Sequence, residues 1–143
     1  MTLLDASAAL NAATSGWRLL DHPYYRRWQA GTLSVSDLAS YAAQYRHVER
    51  CLPDLLATTA GQLDDGPVRR LVERNLADER GNPTSHLELF DAFAAAVEAA
   101  DEPATPATLQ LVRTYEEAAR TGPIEALSTV GAYEIQAAEI ART

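Results

Sequence analysis

The stretch that most restricts what this chain can become is a long helical pattern near its middle. Ser34 and Asp37 match the S-x-x-D form of a capping box, placed directly before Leu38, Tyr41, Ala42, Tyr45, Val48 and Leu52. Those apolar positions recur at i, i+3, i+4 and i+7, the signature of one buried helix face. Pro53 falls inside the pattern, yet Leu55 and Leu56 carry it on, so the spacing predicts a kinked helix that continues toward Gln62.

The remaining segments read the same way. Leu3, Ala6, Leu10 and Ala13 mark a short amphipathic helix ending near Gly16, and His22-Pro23 restarts the chain into an aromatic helix with Tyr24, Tyr25 and Trp28 before Gly31. Asp64-Asp65-Gly66-Pro67 is a turn, followed by a helix marked by Val68, Leu71, Val72 and Leu76. Gly81-Asn82-Pro83 breaks or bends that helix, and Thr84-Ser85 can cap another carrying Leu87, Leu89, Phe90, Phe93 and Val97. After a linker at 101–106, Leu109, Val112 and Tyr115 are expected to face inward, and Thr121-Gly122-Pro123 precedes a last helix running toward Thr143. No segment alternates with period two, so the fold class is all-α, a helical bundle expected as one domain over 1–143.

Composition supports a packed core and narrows the partners. The 143 residues are 47% hydrophobic and 22% charged, about one domain's worth of ordinary globular sequence. Twelve Lys and Arg against 20 Asp and Glu leave a formal charge of -8, which disfavours a grip on nucleic acid or an anionic membrane. No stretch approaches the ~20 apolar residues of a membrane span, and the first residues lack the pattern of a signal peptide, so a cytoplasmic location is expected. The single cysteine, Cys51, is expected to be an inert core thiol, with the adjacent Arg50 pointing elsewhere on the helix.

Three residues stand out chemically. Ile124, Leu127, Val130 or Gly131, Glu134 and Ala138 fall on one stripe, so Glu134 is a carboxylate where a core residue should stand; it must be neutralised, paired or metal-bound, or lie at the stripe's edge. Glu79 and His86 are seven apart, nearly the same face of a continuous helix. Gly81 and Pro83 interrupt that helix, so the two can instead converge across a bend, or His86 can be a surface residue beside Ser85. His22 is expected at an N-cap or turn, and His47 at a solvated or inter-helix position.

As a set, these segments resemble a known family. His22-Pro23-Tyr24-Tyr25-Arg26-Arg27-Trp28, Gly31-Thr32-Leu33, Tyr41-Ala42-Ala43-Gln44-Tyr45 and Pro53 resemble the opening helices of the haem-oxygenase-like superfamily that includes pyrroloquinoline-quinone synthase and TenA-type proteins. Asn75-Leu76-Ala77-Asp78-Glu79-Arg80-Gly81-Asn82-Pro83-Thr84-Ser85-His86 and Ala132-Tyr133-Glu134-Ile135-Gln136 resemble its di-metal oxidase branch, the para-aminobenzoate synthase (death-domain-associating protein) branch. The resemblance implies a haem-oxygenase-like bundle, with Glu79, His86 and Glu134 as metal ligands and Tyr25 and Tyr133 as tyrosines that take part in the reaction. It implies a di-iron or Fe/Mn cofactor, with O2 and a small amino-acid-like or aromatic metabolite as substrates. In that family a further helix downstream carries an H-x-x-x-D-x-x-H type motif, and this chain ends at Thr143, nine residues after Glu134. Another departure is Arg50, where the family tends to place an acidic or aliphatic residue.

Three readings stay open: the chain is part of a longer protein; it binds one metal through three ligands or builds a site between two chains; or it is a non-catalytic, metal-free helical module. A homodimer is expected, and in the last case it would bury the face left by the absent helices.

Overall fold

The computed structural model describes residues 3–142, and every regular element among them is a helix. The order is α1 (Leu3–Thr14), a 3-10 turn at Leu19–Asp21, α2 (Pro23–Gln29), α3 (Val35–Gly61), α4 (Pro67–Arg80), α5 (His86–Ala96), α6 (Pro106–Thr121) and α7 (Pro123–Ile140). The expected positions of the Leu3 and Ala6 side chains, and the end of the last helix at Thr143, lie outside the described residues. None of the described helices is long and apolar enough to cross a membrane.

Local chemistry sets the helix starts. At α3 the Ser34 hydroxyl accepts from the Asp37 amide at 3.1 Å while Asp37 Oδ2 accepts from the Ser34 amide at 2.8 Å, a complete capping box. Ser85 and Glu88 repeat it at α5, and Thr105 caps α6 with Pro106 as the first helical residue. His22 caps α2, its Nδ1 accepting from the Tyr24 amide at 3.2 Å. As the spacing predicts, α3 runs through Pro53.

The chain divides into two compact units. The larger, 34–126, is organised around α3, against which α4, α5 and α6 all pack, with α4 also touching α5. Ala42, Val48, Leu52, Leu55 and Leu56 of α3 are buried, and burying each leucine contributes about 1.5–3 kcal/mol. Thr59 is fully buried and satisfied, donating its hydroxyl to the Leu55 carbonyl at 2.8 Å. Tyr45 packs on Phe90 of α5 with ring centroids 5.5 Å apart, fixing which face of α3 meets α5. Behind it the Arg46 guanidinium pairs with Asp91 at 2.8 Å and with Asp101 at 3.7 Å.

The smaller unit joins 1–33 to the chain from Leu127 onward. Arg18 pairs with Glu139 at 3.2 Å, the Leu19 amide donates to Gln136 Oε1 at 2.8 Å, and Gly131 leaves room for the Leu10 side chain. On α2, Tyr24, Tyr25 and Trp28 form an aromatic cluster.

Two expectations about facing are corrected. Leu109 is 42% exposed and Ile124 75% exposed, so neither faces inward. Both stand in the first turn of their helices, where the apolar stripe begins before the packing does.

Candidate metal centre

The last turn of α4 and the first residue of α5 bring two sequence-predicted residues together. Glu79 is only 8% exposed, while its neighbours Asp78 and Arg80 are in solvent. Gly81 then takes φ 67°, ψ 164°, a conformation that side-chain-bearing residues avoid, and a Cβ there would strike the Thr84 carbonyl and the Ser85 amide. The chain therefore reverses within a few residues, the Ser85 cap starts α5, and His86 opens that helix half-exposed. Its Nδ1 lies 3.1 Å from Glu79 Oε1. The two thus meet across a break, the alternative that Gly81 and Pro83 left open.

A second carboxyl interacts with them electrostatically. Glu49 of α3 is half-buried and is pushed up to about 7, first by burial and then by the nearby Glu79 carboxylate, against the opposite pull of His86. Glu49 is not among the residues that the sequence motifs single out. Its signal was available: Glu49 continues the stripe Ala42, Tyr45, Leu52 and Leu56, of which Tyr45 packs on α5.

The Glu79–His86 pair suits a hard divalent cation in donor type and spacing. Carboxylate oxygen and imidazole nitrogen are the donors of non-haem iron and manganese sites, and two cis donors at ~2.1 Å from an octahedral ion lie roughly 3 Å apart. The same 3.1 Å equally serves a hydrogen bond from imidazole to carboxylate. Among the described residues no three His, Cys, Asp or Glu side chains are arranged to hold one ion, so the pair fits as part of a centre. An open cleft beside it is lined by Asn75, Asp78, Asn82, His86 and Leu89.

The other sequence-predicted residues belong to the smaller unit. Glu134 and Tyr133 lie on α7, both half-buried and both in contact with other groups. Tyr25 is half-buried on α2, edge-on to Tyr24 at 5.5 Å and stacked near Trp28 at 6.4 Å between ring centroids. The other histidines have structural partners: His22 caps α2, and His47 Nε2 lies 2.9 Å from the Glu102 carbonyl, an inter-element contact.

On the face of α3 toward α6 there is a second cleft, of about 230 Å³, bordered by Arg50, Cys51, Asp54, Thr58, Glu116 and Arg120. Arg50 thus borders the same space as Cys51, contrary to expectation, because adjacent helical residues can flank one groove. The thiol is nonetheless passive. Burial, followed by the Glu116 carboxylate, pushes it up to about 11.

Known proteins are similar to this chain in sequence. The 4-aminobenzoate synthase of Nitrosomonas europaea is 32% identical over 138 residues, which cover 86% of this chain and 56% of that protein. The 4-aminobenzoate synthase of Chlamydia muridarum is 30% identical over 102 residues, 71% of this chain and 42% of that protein. That of Chlamydia pneumoniae is 31% identical over 84 residues, 59% and 38% respectively. The chain therefore spans about half the length, or less, of these curated relatives. The family described as TENA/THI-4/PQQC matches residues 11–143, and the all-helical architecture agrees with the helical fold expected from the resemblance. On that match, this chain belongs to the TENA/THI-4/PQQC family.

Proposed function

We propose that the chain forms part of a non-haem, O2-dependent oxidoreductase centre that holds iron, as a di-iron or Fe/Mn pair, and acts on a small amino-acid-like or aromatic metabolite. The observation that carries this reading is the convergence of buried Glu79 and half-exposed His86 at 3.1 Å across a glycine-dependent turn. The 4-aminobenzoate synthase names of the relatives support the substrate class. In this reading Glu79 and His86 are metal donors and Glu134 is a further one. The metal, when bound, supplies the redox chemistry.

The chain's own groups have separable tasks. The buried Glu79 carboxylate offers a negative charge in a poorly solvated place, where a cation is held more strongly than in water. His86 orients that carboxylate while keeping one edge toward the open cleft, through which a small molecule can approach. Tyr25 and Tyr133 are the tyrosines proposed to take part in the reaction, and the Tyr25 ring is packed between Tyr24 and Trp28, which restricts it.

The experiment is anaerobic Fe(II) loading followed by metal analysis of wild-type, His86→Ala and Glu79→Gln proteins. Retention by the wild type and loss in both variants is expected. Equal, negligible iron in all three would overturn the assignment.

A second reading, a metal-free helical module that pairs with a second copy, has its own support. Large apolar side chains such as Trp17 (82% exposed) and Val35 (66% exposed) are in solvent, where a second copy could cover them. That module predicts a dimer by light scattering at every concentration and no iron uptake.

A further inference from the structure

We propose that the cleft between α3 and α6 binds a small zwitterion of the α-amino-acid type, with Arg50 and Asp54 of α3 as its main anchors and Glu116 and Arg120 of α6 facing them. The site is separate from the metal reading above, since this cleft shares no bordering residue with the one beside Glu79 and His86.

The walls of the cleft are held by contacts at the start of α6. Gln44 of α3 accepts from the Thr105 amide at 2.9 Å and from the Thr108 hydroxyl at 2.9 Å, and it donates to the Pro103 carbonyl at 3.2 Å. His47, which itself borders the cleft, lies 2.9 Å from the Glu102 carbonyl. Farther along, Asp54 and Thr58 border the same space as Glu116 and Arg120, so the two packed helices run in the same direction. Leu55 and Ala119 are buried and supply the apolar part of the lining. The cleft is therefore preformed between two helices tied together at one end.

Along α3 the cleft meets a cation and then an anion, Arg50 and Asp54; along α6 it meets an anion and then a cation, Glu116 and Arg120. Among the described residues no ion pair closes across the gap. Arg50 and Asp54 are in no ion pair, although their i, i+4 spacing allows one, and Glu116 reaches only Arg120 of its own helix, at a long 3.8 Å. Two guanidiniums and two carboxylates cancel, so the space favours neither a lone anion nor a lone cation. It matches a molecule that carries both signs close together. A guanidinium takes a carboxylate through paired charge-assisted hydrogen bonds, and a carboxylate takes an ammonium in the same way. The volume of about 230 Å³ lies below the roughly 300–1,000 Å³ of drug-sized pockets, which limits the ligand to a small one, and Leu55 and Ala119 suit an aliphatic side chain.

The test is titration of the isotope-labelled full chain with L-valine, with isovalerate, which lacks the amino group, and with isobutylamine, which lacks the carboxylate, followed by backbone amide resonances. L-valine is expected to shift the amides around Arg50, Asp54, Glu116 and Arg120 and to saturate. Each half-ligand should bind about 10-fold or more weakly, since it forfeits one set of charged contacts. Arg50→Gln and Asp54→Asn, both at exposed positions, should each weaken L-valine by about 10-fold or more, with melting temperatures within about two degrees of wild type. If isovalerate or isobutylamine binds as tightly as L-valine, the cleft is a site for a single charge and the proposal fails. It fails also if L-valine shifts no amide of the cleft at up to about 10 mM, or if both variants bind it like wild type. The half-ligand comparison uses wild type alone, so it decides the matter even where a variant misfolds. Iron binding is untouched by any of these outcomes.

Discussion

Replacing Gly81 with alanine is the sharpest test of how the centre is assembled. Gly81 sits at φ 67°, ψ 164°, a region that costs a residue with a side chain about 1–3 kcal/mol. The added methyl also meets the Thr84 carbonyl and the Ser85 amide, both backbone, so no side-chain rotation can relieve it. Moving that backbone adds about 1–3 kcal/mol by analogy with overpacked cores, while the loss of freedom in the unfolded chain returns about 0.4–1 kcal/mol. The net is a loss of about 1–6 kcal/mol, a fall in melting temperature of roughly 4–20 °C for a chain of this size. Gly61→Ala is the control, since that glycine lies inside α3 with open space around its missing Cβ and an ordinary φ; it should be neutral or slightly stabilising. Thermal and urea unfolding followed by circular dichroism measure both. If Gly81→Ala melts within a degree or so of Gly61→Ala, the turn does not depend on glycine, and the account of how Glu79 meets His86 is wrong.

Two further outcomes follow from the charged and polar interior. With Cys51 pushed up to about 11, only about one thiol in a thousand is ionised at pH 8, so the native protein should react slowly with Ellman's reagent and fast only in denaturant; rapid native labelling would contradict the raised pKa of this half-buried thiol. Glu49 ionises near 4.5 in the unfolded chain and about 7 in the fold, so between those values the fold holds a proton that the unfolded chain has released, and stability falls as pH rises through that window. E49Q removes the effect. Its stability relative to wild type should therefore grow from pH 5 to 7 and level off above, and a difference that shrinks with rising pH would refute the burial argument.

What could be read from the sequence was local. The Ser34/Asp37 box, the Pro residues at helix starts and the Gly81 break act within four residues of themselves, so the chain alone displays them. Convergence of Glu79 and His86 was readable because a glycine and a proline stood between them. Facing was harder to read. Leu109 and Ile124 obey the apolar period yet point to solvent, because periodicity identifies a stripe without saying where along it another helix begins to cover it. Glu49 passed unremarked for the converse reason: a carboxylate on a helix reads as surface until its stripe-mates are seen against α5. Arg50 and Cys51 likewise shared a cleft that only the position of α6 creates.

Pro53 has a consequence for the backbone beneath Glu49. Lacking an amide hydrogen, it leaves the carbonyl four residues earlier, that of Glu49 itself, without its rung in the helical ladder. α3 is therefore two hydrogen-bonded runs joined at a missing rung, and local opening can begin there without melting either run. Glu49, whose carboxyl is pushed up to about 7 by burial and by the Glu79 carboxylate, is thus anchored in the main chain at the missing rung of the longest helix. A small tilt about that rung changes the angle between the run that carries Glu49 and the run beyond Pro53, without disturbing the Gly81 turn.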